Sequence, residues 1–307
     1  MLTRLMTIAV ATIFSTSVFA GEVTGAGSSF FFPIASKWAN EYNKQTKTIV
    51  NYQSIGSSAG IKQIDAKTVT FGATDAPVKP EDLEKKGQVQ FPIIVGGIVA
   101  AINLKEVESI TLTTDIIAKI YMDKIKRWND KEIATLNPNV KLPDLPIIKV
   151  RRSDGSGTTW NFTKYLSEAN ADWKKEYGQG SSIEWGGSTI GAKGNDGVAS
   201  NVNQTNGSIG YVEYAFAKQN NLKVADMIGA DGKKVSPGIK AFQTTWPMIA
   251  TTYVVMYKNA EDKDASKQAI EFFKFTFTRD KDAEDLDYVP LNNNQKTEVN
   301  KILSQIN

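Results

Sequence analysis

The segment 151–162, with the sequence RRSDGSGTTWNF, has the composition of an anion-binding turn. Gly155 and Gly157 allow the backbone to turn tightly and to approach a ligand closely. Around them, Ser156 and two threonines supply hydroxyl donors. The helix predicted to follow offers unpaired N–H groups and the positive end of its dipole. Arg152 adds a planar guanidinium suited to a tetrahedral oxyanion, so these residue types together predict the binding of a small anion.

Three further segments place glycine, serine or aspartate at the predicted ends of strands. They are GAGSSF at 25–30, IGSSAG at 55–60 and FGATDAP at 71–77. The first two lead into predicted helices, and the third ends a strand at the carboxylate of Asp75. A single Gly/Ser turn is usually an ordinary helix cap. Several helix N-termini that converge on one point, however, surround an anion with N–H and hydroxyl donors.

The composition excludes several kinds of enzyme. The 307-residue chain contains no histidine and no cysteine, so it can form no Ser-His-Asp triad, no thiolate nucleophile and no disulfide. Most transition-metal sites are disfavoured for the same reason. The GSSAG pentapeptide at 56–60 matches a nucleophile elbow without its usual base, and segment 151–159 lacks the Gly-Lys-Ser/Thr ending of a P-loop. The net charge of +3 is too small and too dispersed to indicate nucleic-acid binding.

The first 20 residues predict a secretory signal peptide. Arg4 is followed by an apolar stretch, and Val18-Phe19-Ala20 fits a cleavage site, so the mature chain is expected to begin at Gly21. The apolar stretch is short for a membrane anchor. We therefore expect a cleaved, exported protein.

Helical and strand patterns alternate along the rest of the chain and predict an α/β fold with mixed, largely parallel sheets. Predicted helices include 113–122, 130–136 and 265–277, and predicted strands include 48–52, 69–73, 145–150 and 251–257. The apolar run 91–104 predicts a buried strand that Gly96-Gly97 interrupts with a bulge or a bend.

The chain is long for one core and suits two domains. Two apolar strands, one ending near Asn103 and one beginning near Thr251, bracket its middle. We therefore predict two α/β lobes, with lobe II (101–246) inserted into lobe I (21–100 and 247–307). The two crossing segments would form a hinge beside a cleft between the lobes.

The order and spacing of its motifs make the mature chain resemble the periplasmic phosphate-binding proteins of bacterial ABC-type phosphate importers. The motifs run nearly end to end: TGAGSSF, NYQSIGSSAGIKQI, FGATDAP, FPIIVGG, IYMDKIKRWND, VRRSDGSGTT, GNDGVA, IGYVEYAFAKQNNL and DLDYVPL. The resemblance implies a two-lobed "Venus flytrap" that holds one phosphate ion between its lobes and delivers it to membrane permease subunits. It also implies a periplasmic protein, expected to be a monomer, without enzymatic activity, cofactor or metal.

The resemblance further implies which residues bind the ion. The matching positions are Ser29, Phe30, Ser57, Asp75, Arg152, Ser156, Gly157 and Thr158. Asp154 corresponds to a carboxylate that braces the arginine without touching the ligand. Arg127 lies outside the four anion-binding segments, and we expect it to be exposed.

The chain departs from the family pattern at three places. Ser29 stands where the family often has threonine, which keeps the hydroxyl. The family commonly has proline directly after the phenylalanine that corresponds to Phe30, whereas here Phe31 and Phe32 come before Pro33. The resemblance therefore does not fix the path of the first loop. The stretch 236–246 is shorter than in many relatives.

Asp75 is expected to select phosphate over sulfate. Near neutral pH phosphate still carries a proton that a carboxylate can accept, whereas sulfate has none, so the carboxylate would face sulfate unpaired. Two alternatives stay open at this point. One is a binding protein for another oxyanion, sulfate or molybdate, and the other is a metal-dependent phosphohydrolase that uses the same pocket.

Overall fold

The structure is a computed structural model that describes residues 22–307. The predicted signal peptide and its cleavage site lie outside these residues. The strands are β1 (Glu22–Gly27), β2 (Ile49–Ser54), β3 (Phe71–Thr74), β4 (Gln88–Ile102), β5 (Thr111–Leu112), β6 (Ile148–Arg152), β7 (Thr189–Ala192), β8 (Ser208–Glu213), β9 (Lys223–Val224), β10 (Asp226–Ile228), β11 (Lys234–Val235) and β12 (Ile249–Tyr257). The helices are α1 (Phe32–Thr46), α2 (Ser57–Asp65), α3 (Pro80–Lys86), α4 (Thr114–Tyr121), α5 (Lys131–Leu136), α6 (Gly157–Ala169), α7 (Ala171–Glu176), α8 (Gly194–Gln204), α9 (Tyr214–Gln219), α10 (Ile239–Phe242), α11 (Lys263–Thr276), α12 (Asp280–Glu284) and α13 (Asn293–Leu303).

Strands β1, β2 and β3 begin the large sheet by parallel pairing. Strand β1 lies between the other two, with Gly27 opposite both Ser54 and Ala73, and helices α1 and α2 connect them. Parallel strands joined by helices have their carboxyl ends at one edge of the sheet. Three of the four predicted anion loops follow these ends, so the fold gathers them at that edge.

Strand β4 is one continuous strand of 15 residues. It pairs antiparallel with β12 up to Gly97 and with β8 from Ile98 onwards. The prediction that Gly96-Gly97 interrupts the strand is therefore wrong. Glycine is required here because a Cβ at the two positions would stand 2.8 Å from the Phe30 ring and 2.1 Å from the Phe242 ring.

Strands β6, β7 and β8 repeat the parallel arrangement on the other side of β4. Strand β6 pairs parallel with both β7 and β8. The order across the large sheet is β2-β1-β3-β12-β4-β8-β6-β7, with β9 beside β4, and a second sheet has the order β11-β10-β5. The fourth anion loop follows the carboxyl end of β6. The two groups of parallel strands thus each contribute polar turns.

The core continues from one strand group to the other. Its largest fully buried side chains include Trp128, Trp173, Phe71, Phe91 and Phe272. Strand β4 pairs with β8 of one group and with β12, which in turn pairs with β3 of the other group, so β4 is one of the segments that join them. The lobe boundaries 21–100, 101–246 and 247–307 stay a prediction. Among residues 22–307, no helix combines the length and the apolar character needed to cross a membrane.

Candidate anion-binding site

Polar turns after strands β1, β2, β3 and β6 meet in the interior of the protein. Ser29, Ser57, Asp75, Arg152 and Thr158 are all buried there. Helices α1, α2 and α6 begin at these turns. Ligands of α/β proteins commonly bind outside the carboxyl ends of the strands, and helix N-termini favour anions. The fold therefore assembles a donor-rich site from segments that are far apart in the sequence.

The carboxylate of Asp75 is held by two hydroxyl donors. Ser28 Oγ lies 2.7 Å and 2.6 Å from its two oxygens, and Thr252 Oγ1 donates to Oδ1 at 2.7 Å. Desolvation raises the pKa of Asp75 to about 6, although these hydroxyl bonds and the charge of Arg152 oppose the rise. Near neutral pH the group is thus mostly ionised, and it can accept a further hydrogen bond but cannot donate one.

Arg152 is the buried positive charge of the site, and Asp154 balances it. Arg152 Nε donates to Asp154 Oδ1 at 2.7 Å while Nη2 donates to Oδ2, which is the bidentate arrangement. Burial alone would raise the pKa of Asp154. The bond and charge of Arg152, with the Gly194 amide, outweigh this and hold the pKa below its ordinary value. Arg152 Nη1 lies 3.4 Å from Thr158 Oγ1, so the guanidinium reaches the start of α6.

Ser57 and Gly157 bring the two strand groups into direct contact. Ser57 Oγ accepts the N–H of Gly157 at 3.0 Å and that of Asp75 at 3.4 Å. A Cβ at Gly157 would stand 2.6 Å from both the Asp75 nitrogen and Ser57 Oγ. Asn161 Nδ2, one turn further along α6, donates to the Asp75 carbonyl at 2.7 Å. The close approach therefore depends on glycine at position 157.

Replacing Gly157 with alanine is expected to weaken binding of inorganic phosphate roughly 30-fold, since overpacking costs about 1–3 kcal/mol. The added methyl group would push the α6 turn away from Asp75. Titration calorimetry measures the affinity. Gly197→Ala in α8 is the matched control, because its added Cβ would lie 3.5 Å from the nearest atom, Ala192 Cβ, and we expect no loss. A Gly157→Ala protein that binds like its parent would show that the close approach is dispensable.

Phe30 and Ser156 are bonded within their own turns. The Phe30 N–H donates to Ser28 Oγ at 3.1 Å, and its buried ring packs edge-on against Tyr288. Ser156 Oγ caps α6 by accepting the N–H of Thr159 at 3.0 Å. The predicted role of both residues as ligand donors stays a prediction.

The first loop leads into helix α1 at the two extra phenylalanines. Helix α1 begins at Phe32 with Pro33 in its first turn. Phe31 is buried and packs edge-on against Trp38 and Tyr52. Phe32 is 39% exposed, so one of the two added rings faces solvent.

Five buried polar residues of the site were not predicted: Ser28, Asn161, Asn195, Tyr211 and Thr252. Tyr211 accepts the N–H of Arg152 at 3.2 Å and shares a 2.7 Å hydrogen bond with Thr159 Oγ1. Ser28 and Asn195 lie in motifs that were singled out, GAGSSF and GNDGVA, and could have been found there. Asn161 and Thr252 belong to ordinary helix and strand patterns, which give no local signal of a binding site.

The donors of the site are hydroxyls, amides and one guanidinium, and its principal acceptor is one carboxylate. Within residues 22–307, no three acidic side chains lie close enough together to hold a metal ion. A donor-rich set in which one carboxylate, that of Asp75, can accept a further hydrogen bond suits an anion that also carries a proton.

These features define a class of proteins: α/β solute-binding proteins with the periplasmic-binding-protein fold. The sequence profile of the "PBP superfamily domain" matches residues 15–280. A solved structure with this fold is a putative phosphate ABC transporter substrate-binding protein with bound phosphate from Clostridium perfringens. It is 21% identical, with a TM-score of 0.70, and the match covers 89% of this chain and 100% of that one. A high-affinity periplasmic phosphate-binding protein with bound phosphate is 17% identical, with a TM-score of 0.74 and coverage of 91% and 93%.

Two relatives of higher sequence identity show which family of solute-binding proteins the chain belongs to. The chain is 43% identical over 299 residues to phosphate-binding protein PstS of Haemophilus influenzae, and the match covers 89% of each chain. It is also 43% identical over 305 residues to phosphate-binding protein PstS of Pasteurella multocida, with coverage of 91% and 88%. The chain belongs to the PstS family of phosphate-binding proteins, which confirms the family resemblance and the predicted fold class.

Proposed function

We propose that this protein binds inorganic phosphate between its lobes and delivers it to an ABC-type phosphate permease. The observation that carries the proposal is the buried carboxylate of Asp75 among buried hydrogen-bond donors. Arg152 and the hydroxyls of Ser29, Ser57 and Thr158 would attract any tetrahedral oxyanion. Phosphate is an oxyanion that can also satisfy the carboxylate, because its P–OH group donates to it.

The location of Asp75 makes this acceptor selective. It is 1% exposed, so a ligand that leaves it unpaired does so without compensation by water. Sulfate near neutral pH presents only acceptors and would face the carboxylate with lone pairs and like charge. We therefore propose discrimination of roughly 10⁴-fold between the two ions, the value reached by sites whose buried polar groups are left unpaired by the wrong ligand.

Binding would occur by closure of the lobes around the ion. The Ser57–Gly157 and Asn161–Asp75 bonds join turns of the two strand groups, so separation of the turns would break them. Phosphate would bridge the same groups and shift the population towards the closed form. In this proposal Ser29, Phe30, Ser57, Asp75, Arg152, Ser156, Gly157 and Thr158 contact the ion, and Asp154 braces the arginine.

Calorimetric titration of the phosphate-free mature chain near neutral pH tests the proposal. We expect tight binding of one phosphate per chain that equimolar sulfate or molybdate does not displace. Tryptophan fluorescence offers a second readout, because Trp185 stacks on Tyr211, with ring centroids 6.1 Å apart, and Tyr211 bonds Arg152. Absence of phosphate binding would contradict the function, and equal binding of sulfate would contradict the role of Asp75.

We further propose that the site performs binding alone. The family is one of substrate-binding proteins, and hydrolysis would need an activated nucleophile with a base or a metal cluster. The Ser57 hydroxyl instead accepts two backbone N–H groups. We expect no release of nitrophenol from nitrophenyl phosphate with or without Mg²⁺. Turnover would favour the phosphohydrolase alternative.

We propose that the mature protein works in the periplasm as a monomer and meets the permease there. The predicted signal peptide with cleavage after Ala20 supports export. The absence of cysteine from the sequence leaves no residue for lipid attachment after such a signal. N-terminal sequencing of the exported protein and light scattering of the purified chain test cleavage and oligomeric state.

A further inference from the structure

Asn195 is a buried polar residue at the start of α8, in the GNDGVA segment, that the proposed phosphate contacts do not include. It is fully buried, and its side chain has partners on three sides. Its backbone N–H and its Nδ2 both donate to Ser29 Oγ, at 3.0 Å and 2.9 Å. Nδ2 also donates to Thr158 Oγ1 at 3.2 Å, and Oδ1 accepts the N–H of Glu213 at 2.9 Å.

The contact with Glu213 determines which end of the amide faces the site. A backbone N–H can only donate, so the side-chain atom opposite it must be the carbonyl oxygen of Asn195. The NH₂ group therefore faces Ser29 and Thr158. Glu213 ends β8 and is paired with Ile98 in the sheet, so the strand fixes the position of this N–H.

The contacts with Asn195 leave the hydroxyls of Ser29 and Thr158 able to act towards a ligand only as hydrogen-bond donors. A serine hydroxyl has two lone pairs and one hydrogen, and both lone pairs of Ser29 are used by the two N–H groups of Asn195. The Thr158 oxygen similarly accepts from Asn195 and from Arg152 Nη1. Within residues 22–307, neither hydroxyl donates to a protein acceptor, so both hydrogens are free to donate to a ligand oxygen.

The same contacts join the two strand groups. Ser29 lies in the turn after β1, whereas Asn195 and Thr158 lie at the starts of α8 and α6. Asn195 and Ser29 are 166 positions apart in the sequence, and the two hydrogen bonds between them are shielded from water. Separation of the lobes would break both bonds.

We propose that Asn195 is a positioning residue of the phosphate site, which commits the Ser29 and Thr158 hydroxyls to donation and joins the lobes in the closed form. This inference rests on the proposed function and extends it. Asn195 acts through the two hydroxyls. Its removal would let them rotate towards other acceptors and would weaken the closed form, so phosphate would leave faster.

A double-mutant cycle with Ser29 tests the inference. We expect Asn195→Ala and Ser29→Ala each to weaken phosphate binding roughly 30-fold, the effect of one hydrogen bond to a charged group. The double variant should lose about 30- to 100-fold instead of the roughly 1,000-fold of independent sites. Stopped-flow tryptophan fluorescence should show the loss mainly in the release rate.

Asn201→Ala is the matched control. Asn201 lies in the same helix, and among residues 22–307 its Nδ2 donates to the Gly197 carbonyl alone, at 2.9 Å, so we expect unchanged affinity. If the unchanged protein binds no phosphate, the proposed function itself fails. If it binds phosphate but the Asn195 and Ser29 losses multiply fully, or Asn195→Ala has no effect, the inference alone is overturned.

A second variant covers the case in which Asn195→Ala does not fold, as judged by thermal unfolding. Asn195→Asp keeps the shape of the side chain and the acceptor for Glu213, but it turns the donor end into an acceptor. The Ser29 hydroxyl would then donate to the new carboxylate, so adding Ser29→Ala should cost less than about twofold further affinity. The charge of the aspartate cancels in this comparison. A further loss of about 30-fold would overturn the inference.

Discussion

Replacing Arg152 with alanine is expected to weaken phosphate binding by about 100-fold to about 1,000-fold. The side chain of Arg152 is 1% exposed, and its partner Asp154 is 14% exposed. Truncation of one partner of a buried, hydrogen-bonded charge pair in a binding site costs about 2–5 kcal/mol of binding free energy, because the other charge is left without its partner, and the expected loss of about 3–4 kcal/mol lies within this range. Here the stranded charge is a carboxylate beside the anion site, so it would also repel the ligand.

Arg127→Ala is the control for the loss of a positive charge. Arg127 pairs with Asp144 at the surface, and these side chains are 47% and 69% exposed. Exposed pairs of this kind contribute little, so we expect phosphate affinity to stay within about twofold. Calorimetry on both variants measures the difference, and equal losses would place Arg152 outside the site.

Two further variants separate the roles of Arg152. Arg152→Lys keeps the charge and loses the planar fork that Asp154 accepts, so an intermediate affinity is expected. Arg152→Ala combined with Asp154→Ala removes the stranded carboxylate. This pair should recover thermal stability relative to Arg152→Ala while phosphate affinity stays low. Full recovery of affinity would mean that Arg152 only neutralises Asp154.

Much of the secondary structure was predictable because its signals are local. The predicted helix 113–122 is α4, Thr114–Tyr121, and Thr113 caps it by accepting the Ile116 N–H at 3.0 Å. The predicted helix 130–136 is α5, Lys131–Leu136, with Asp130 as its cap. Capping residues and apolar periodicity act within a few positions of each other, so the sequence displays them directly.

The hydrogen bonds that orient the site could not be predicted, because they join distant segments. Thr252 and the Asp75 carboxylate are 177 positions apart, and only the pairing of β12 with β3 brings them together. Thr252 itself lies in an apolar strand in which a threonine is unremarkable. The prediction of an interruption at Gly96-Gly97 was wrong for a related reason. The rings that require glycine there belong to Phe30 and Phe242, which are distant in the sequence.

The selectivity of the site is expected to depend on pH through Asp75. Burial raises the pKa of this carboxyl from 3.8 to about 6, so the protonated fraction grows as the pH falls through about 6. A protonated Asp75 donates a hydrogen bond, which sulfate can accept. Roughly 1% of the group is protonated two units above its pKa and most of it one unit below. Sulfate affinity should therefore rise about 100-fold between pH values near 8 and near 5.

Phosphate should respond differently over the same range. Both of its forms in this interval carry at least one P–OH, so an ionised Asp75 always has a donor to accept from, and a neutral Asp75 can donate to another oxygen. We expect phosphate affinity to change far less than sulfate affinity. Parallel titrations with the two anions, at constant ionic strength because exposed charges are screened by salt, measure the difference.

Asp75→Asn should remove the pH dependence of sulfate binding and reduce the discrimination between phosphate and sulfate. The amide NH₂ donates at every pH, so sulfate should bind about 100-fold more tightly near pH 8 than it does to the unchanged protein. Phosphate should lose the acceptor for its P–OH and bind less tightly. Asp82→Asn in α3 is the control, since Asp82 is exposed and should leave both affinities unchanged.

The outcome for sulfate distinguishes a selective carboxylate from a structural one. Ser28 and Thr252 donate to Asp75, and an asparagine keeps one oxygen for them but not two. If Asp75 only held these hydroxyls, Asp75→Asn would lower the affinity for both anions together. A gain for sulfate with a loss for phosphate requires that the ligand itself reaches position 75. Sulfate binding that is unchanged by both pH and Asp75→Asn would therefore rule out rejection of sulfate by this carboxylate.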